Sequence, residues 1–312
     1  MNTAAVSPVQ AATADEHVFL IGRPPISEYL NFVTEQAVDG RNADRRALVD
    51  SWRSANDHVL ALESSEGGIA DDVQIGELDP SVVRLRDLVL SDPLVHRSFA
   101  LTPVDVGLVE LDRLVVHQKF INLAHVQRLA SRVHTAETAE GIFKLCLPIA
   151  DRVDPPTGFG GGPGGWTFKS QSNDFRVLGA SVLDPADVHD FDVGGVPTHI
   201  VAVAVGYGAN YVSAVHAEGR LLLWNGSHRA YALREAGHTH VPCLIQEVSR
   251  RDEIEGMGVQ AVTDNLETFL EAPRPPILRD YFDERLRLVA RVQPTVRQVQ
   301  IGINAAAVDL PA

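Results

Sequence analysis

The chain has 312 residues, 45% of them hydrophobic, enough for a large buried core divided among one to three domains. Lys and Arg number 27 against 41 Asp and Glu, a formal net charge of −14 with an isoelectric point near 5.2. That balance disfavours broad electrostatic binding to nucleic acid while leaving a local basic patch open. No apolar run approaches the roughly 20 residues of a membrane span. The opening MNTAAVSPVQAATADEH lacks the basic start and apolar core of a signal peptide, so a cytoplasmic location is expected.

Residues 1–15 are small and polar and read as a disordered tail. Residues 16–100 read as a helical accessory region without strand-like alternation. In it, Tyr29, Phe32, Val33, Gln36 and Ala37 recur at helical spacing behind Ser27 as a cap. A second helix, from about Ala43 to Leu62, puts Leu48, Trp52, Ala55, Val59 and Leu62 on one face before ESSEGG stops it. Asp79-Pro80, a cap followed by proline, opens a third that carries Val82, Leu85 and Val89.

From Leu108 the pattern changes to short apolar runs mixed with helices, as an α+β domain over 101–250 would give. Strands are predicted at Leu108 to Leu111 and Ile142 to Ile149, with a helix from Ala124 to Val133 between them. A glycine-rich stretch, Phe159-GGGPGG-Trp166, follows. Further strands are predicted at Ile200 to Val205, Tyr211 to Val215 and Arg220 to Trp224. Residues 251–312 read as a short C-terminal extension: a polar helix from Val262 to Leu270, a break at APRPP, a helix from Ile277 to Arg291 and a strand-like run from Val296 to Ile303. The tetrapeptide RPPI occurs twice, at Arg23 and Arg274, each before a predicted helix. Nothing around the two copies matches over the length of a true repeat, so they read as shared punctuation. Cys146 and Cys243 lie far apart in apolar surroundings and read as buried thiols rather than a disulfide.

The stretch from Leu221 to Ile245 speaks most directly about function. An apolar strand (Leu221, Leu222, Leu223, Trp224) runs into the turn Asn225, Gly226, Ser227, His228, Arg229. A helix follows from about Ser227 to Ala236, Gly237 stops it, and a strand comes near Val241 to Val248. Glycine at such a junction permits a tight turn and close approach of a ligand. Free N–H groups and the positive dipole end at the helix start favour an anion, and arginine grips phosphate oxygens as a fork. The residues describe a phosphate cradle.

The same residues, Asn225-Gly226-Ser227-His228-Arg229-Ala230-Tyr231-Ala232 followed by REAGHTHVPCLI, resemble the ParB/sulfiredoxin superfamily. There, a D-G-x-x-R-x-x-A type turn between strand and helix binds nucleotide phosphates. The stretch Leu108 to Val133 is similar to the family's opening strand, loop and first helix, so the resemblance covers roughly residues 101–250. It implies a ParB/sulfiredoxin-type α+β domain binding a nucleoside triphosphate of the ATP or CTP class with Mg²⁺, the nucleotide held by Asn225, Gly226, Ser227, His228 and Arg229. Ser227 falls where sulfiredoxins carry their nucleophilic cysteine, and a hydroxyl cannot perform that chemistry. In the free serine kinases of this fold, a His-Glu pair after the first strand supplies a base. Here His117-Gln118 stands in that place, Gln cannot act as a base, and His117 or Glu110 remains.

Two other features carry weaker signals. Phe159-GGGPGG-Trp166 lacks the Gly-Lys-Ser/Thr of a phosphate loop and reads as a lid or a surface loop, with Asn173, Asp174 and Arg176 as the polar groups a lid would deliver. His216, His228, His238 and His240 gather near the turn, but no spacing completes a tetrahedral metal set. A nucleotide-bound magnesium needs only one or two carboxylates. The leading expectation is a nucleotide-binding protein, with phosphotransfer or nucleotide hydrolysis on a small molecule as its chemistry. The alternative is a non-catalytic sensor or partner-binding module. Nuclease action and specific DNA binding sit poorly with the acidic balance and the lack of a helix-turn-helix after Arg250.

Overall fold

The computed structural model describes residues 14–149, 157–162, 165–170, 172, 175–189, 193–257 and 260–308. The disordered-tail expectation for residues 1–15 lies almost wholly outside them. In chain order the elements are β1 (Asp15–Leu20), α1 (Ile26–Gln36), α2 (Arg45–Ser65), α3 (Val83–Leu90), α4 (Pro93–Ser98), β2 (Val104–Glu110), β3 (Val115–Val116), β4 (Phe120–Asn122), α5 (Leu123–Thr135) and α6 (Ala139–Cys146). There follow β5 (Thr157–Gly162), β6 (Gly165–Ser170), β7 (Phe175–Leu183), β8 (Ile200–Tyr207), β9 (Ser213–Ala217), β10 (Arg220–Asn225), α7 (Ser227–Glu235), β11 (His240–Glu247), α8 (Arg251–Gly256), α9 (Gln260–Thr263), β12 (Arg287–Val292) and β13 (Arg297–Ile301). The mixture is α+β, as the alternation of short apolar runs and helices implies. Among the described residues no helix is long and apolar enough to cross a membrane.

The chain forms two compact units, residues 1–151 with 210–294, and residues 152–209 with 295–312. The predicted boundaries at 100 and 250 differ from these. The N-terminal helices and most of the C-terminal extension belong to the same unit as the strand–turn–helix, whereas 152–209 leaves it. The larger unit holds a five-stranded sheet, order β2-β11-β9-β10-β3, and a three-stranded sheet, order β12-β1-β4. The smaller unit holds the sheet β13-β6-β5 and the hairpin β7-β8.

Three element predictions need correction, each for a physical reason. The accessory region contains a strand: β1 is the middle strand between β12 and β4. Val18, Phe19 and Leu20 are all buried, so no alternation marks it. The run near Ile142 is the helix α6, not a strand. Ile142, Phe143, Leu145 and Cys146 are buried at helical spacing, and the Thr138 side chain accepts from Gly141 N to cap it; a short apolar run fits either period. The helix predicted from Ile277 is a single 3₁₀ segment, Leu278–Phe282, followed by β12, whose antiparallel pairing with β1 decides its conformation. The helices at Ile26 and Arg45 form as the spacing implies, but Pro25, not Ser27, precedes α1, and no side chain caps it. Asp79 caps its segment through Ser81 N, as expected.

Candidate functional site

The site begins with a pairing that local sequence does not reveal. β10 runs parallel to β3, Leu222 opposite Val115 and Leu223 opposite Val116. The turn leaving β10 and the loop His117-Gln118-Lys119 leaving β3 therefore emerge side by side at the carboxyl ends of parallel strands, a usual place for ligands in mixed sheets. His117 Nε2 lies 3.4 Å from Trp224 O, and the two rings are 5.9 Å apart.

Gly226 is in the left-handed region with φ of 91°. A Cβ there would come within 2.9 Å of Val212 Cγ2, so backbone conformation and close packing both demand glycine. Asn225 Oδ1 accepts from Gly226 N at 2.8 Å, and Ala230 N donates to Gly226 O at 2.9 Å. The N–H groups of Ser227 and His228 precede that first helical bond at the start of α7. The predicted strand–turn–helix is thus present, with Ser227 buried at its start.

Arg229 does something other than the cradle reading requires. Its side chain is buried, 6% exposed. Nη1 donates to Leu145 O at 3.0 Å and Cys146 O at 3.1 Å, and Nη2 to Asn210 O at 2.9 Å. Leu145 and Cys146 end α6, so Arg229 serves carbonyls at a helix terminus, Cys146 O accepting from Val212 N as well. Its fork is committed to structure.

His228 Nε2 accepts from Asn122 N at 3.0 Å, which places the ring proton on Nδ1. Burial, followed by the nearby His125, His17 and Arg128, pulls its pKa from 6.5 down to about 3. A histidine depressed in the folded state contributes stability above pH 6.5 that is lost as pH falls toward the folded value. At pH 4.5, two units below 6.5, the loss from this residue is about 2–3 kcal/mol. His228→Gln, which keeps an acceptor for Asn122 N, should show a shallower fall in denaturation midpoint between pH 6.5 and 4.5. Parallel curves for the two proteins would refute the assignment.

The proposed catalytic pair is not brought together. Glu110 ends β2 opposite His240 and approaches Arg113, 3.9 Å away. It does not line the cavity that His117 lines. This cavity takes in ≈ 780 Å³ of space, open solvent at its mouth included. Its polar rim includes Arg23, Glu28, His117, Gln118 and Lys119, with Phe269 on the apolar side. Lys119 Nζ pairs with Glu28 Oε1 at 2.6 Å, and Tyr281 Oη donates to Gln118 O. Burial lowers the pKa of His117, so its ring is neutral at pH 7, and the Nε2 proton donated to Trp224 O leaves Nδ1 as an acceptor.

Sequence reasoning missed Arg23, Glu28 and Asp280 as cavity residues, although both RPPI copies contain the signal. Pro24, Pro25 and Pro276 also line the cavity, and Arg23 Nη2 donates to the backbone oxygen of Arg274. The two copies meet at one wall. Burial lowers the Arg23 pKa, offset in part by Asp280.

The remaining candidates disperse. Of the glycine-rich stretch, 159–162 belong to β5 and 165–166 to β6 of the smaller unit, with Phe159 opposite Phe168, and Pro163, Gly164, Asn173 and Asp174 lie outside the described residues. Nδ1 of His216 is 2.8 Å from Glu247 Oε2, and Nδ1 of His240 is 3.1 Å from Thr239 Oγ1. No group of three potential metal ligands occurs among the described residues. Cys146 and Cys243 are free and buried, burial pushing the Cys146 thiol up to about 12. Comparison with protein-family models, curated proteins and solved structures finds no match.

Proposed function

We propose that this chain is a nucleotide-binding protein of ParB/sulfiredoxin type. The nucleoside occupies the cavity walled by the two RPPI segments, and the phosphates extend toward the start of α7. The observation that supports this most is the parallel β10–β3 pairing, which sets the glycine turn beside the loop that rims the cavity. From Lys119 the short strand β4 leads to Asn122, about 10 Å at ~3.3 Å per residue, a reach suited to a phosphate tail. Phe269 and the prolines offer an apolar surface for a base, and Lys119 a cation for phosphate oxygens. Glu28 is the carboxylate best placed to hold a nucleotide-bound magnesium, because Asp280 is bound to Arg274. Magnesium would neutralise phosphate charge.

If the protein turns nucleotide over, His117 Nδ1 is the proton acceptor. A sensor without turnover is the second reading, favoured by the pairing of both lining carboxylates with cations, Glu28 with Lys119 and Asp280 with Arg274. Calorimetry and thermal shift with a nucleotide panel plus magnesium test the proposal. A ligand at 100 times its Kd adds about 2.7 kcal/mol of stability. Lys119→Ala should weaken binding roughly ten-fold or more, and His117→Ala should lower any turnover by about 10² to 10⁴ while leaving affinity nearly intact. Wild-type protein that binds no common nucleotide would sink the proposal; binding without turnover would select the sensor.

A further inference from the structure

The hairpin β7–β8 is a two-stranded sheet, paired with no third strand among the described residues. Such a pair is marginal in water unless something covers one of its faces. Its register shows what each face carries. Val177 lies opposite Val205, Ala180 opposite Val203 and Val182 opposite Val201, so these side chains share one face. A bulge between Val177 and Gly179 shifts the register, and without it the residues after Leu178 would point the other way. Phe175 and Tyr207, rings 5.2 Å apart, close one end of the valine face. The opposite face holds Arg176, Gly206, Gly179, Ala204, Ser181 and Ala202. A Cβ on Gly206 would meet Leu178 Cδ1 at 3.1 Å, which puts Leu178 on that second face too.

The valine face has no layer over it. Val201 is 73% exposed, Val182 61%, Val177 46% and Val203 38%. A sheet face this apolar is stable when buried against another element, and a contiguous exposed patch marks an interaction site. Its chemistry narrows the occupant. Apart from the Tyr207 hydroxyl, 2.9 Å from Ser170 Oγ, the paired residues of this face carry no polar side chain. A nucleic acid or a charged peptide finds no complementary group there. Asp184 and Asp187, both exposed, follow β7 directly and oppose an anionic lipid surface. A second copy meets neither objection. Between two chains of net charge −14, contact is least opposed through an uncharged surface. Paired rows of valine also match themselves under a two-fold axis, as an isologous interface requires.

We propose that the chain self-associates as a two-fold dimer in which the valine faces of two β7–β8 hairpins stack into a sandwich. The proposal is independent of the nucleotide reading. Each copy contributes a patch of a few hundred Å², at the low end of specific interfaces. The dimer is therefore weak, with a Kd on the order of 10–100 µM.

Sedimentation equilibrium of the full chain tests this. Wild type should pass from monomer to dimer between about 1 and 500 µM, a range that brackets that Kd. Added salt should tighten the dimer, because it screens repulsion between acidic chains and spares apolar contact. Val201→Lys and Val182→Lys should each weaken association roughly ten-fold or more, since a charge would be buried against apolar surface. Leu178→Lys, on the opposite face, should leave it unchanged. All three sites are more than half exposed, so each variant should keep the wild-type denaturation midpoint at low concentration, where all are monomers. A wild type that stays monomeric throughout overturns the inference. So does a dimer that both valine variants leave intact, or one that salt dissociates, because its contact then lies on other, charged surface. Monomers that bind phosphatidylcholine vesicles through Val201 and form no dimer assign the face to lipid and overturn it as well.

Discussion

Arg229→Met should lower the free energy of unfolding by roughly 3–5 kcal/mol, because it removes several hydrogen bonds to a charged group, each contributing about 1.5–3 kcal/mol. The carbonyls of Leu145 and Asn210 lose this donor, and Cys146 O is left with Val212 N alone, in a place too buried for water to replace the guanidinium readily. Methionine fills a similar volume, so a cavity contributes little to the loss. Arg229→Lys should fall between, since one ammonium cannot serve carbonyls on both α6 and the segment before β9. The motif resemblance makes a different forecast: loss of ligand affinity in a protein of normal stability. Urea denaturation of the free protein separates them. A midpoint within 0.5 kcal/mol of wild type, with ligand affinity reduced, would restore Arg229 to the phosphate and refute the structural role.

That contrast shows what a single sequence can and cannot carry here. The strand–turn–helix from Leu221 to Glu235 was legible because its determinants are local: a buried apolar run, a glycine forced into the left-handed region, and helix formers after it. The direction of Arg229 was not, because its partners lie 19 to 84 positions away. The side-by-side placement of the His117 loop and the β10 turn depends on a parallel pair of only two residues per strand, too short to leave a periodic trace. Glu110 failed as a candidate for a similar reason. It is close to His117 in sequence, but β2 and β3 are opposite edges of the five-stranded sheet. Around Ile142, the run is so short that strand and helix periods both fit, and capping by Thr138 settles the matter. RPPI is the reverse case: both copies were visible as words, but their meeting became visible only once the chain had folded.

Arg274→Ala should be about as damaging as loss of Arg229, at about 3–5 kcal/mol, the range for breaking a buried ion pair by removing one partner. Arg274 is 1% exposed. Nη1 and Nη2 reach the two Asp280 oxygens at 2.8 and 2.6 Å, and Nε reaches Glu66 Oε2 at 3.0 Å. Asp280 Oδ2 also accepts from Ile277 N at 3.0 Å, and Arg279 Nη2 adds a second cation to Glu66 at 2.5 Å. The network thus joins the end of α2 to the segment that walls the cavity. Truncation leaves Asp280 buried beside the cavity without its fork, and that uncompensated carboxylate, more than the lost attraction, is the source of the cost. A variant that removes both charges, Arg274→Met with Asp280→Asn, should therefore recover a large part of the loss, because Asn still offers an oxygen to Ile277 N. Chemical denaturation of wild type, single and double variants measures this directly. If Arg274→Ala costs under 1 kcal/mol, or if the double variant is as unstable as the single one, the buried pair is not what anchors this wall. If the prediction holds, nucleotide affinity should fall in Arg274→Ala and return in the double variant, since the cavity's shape depends on the wall rather than on its charge.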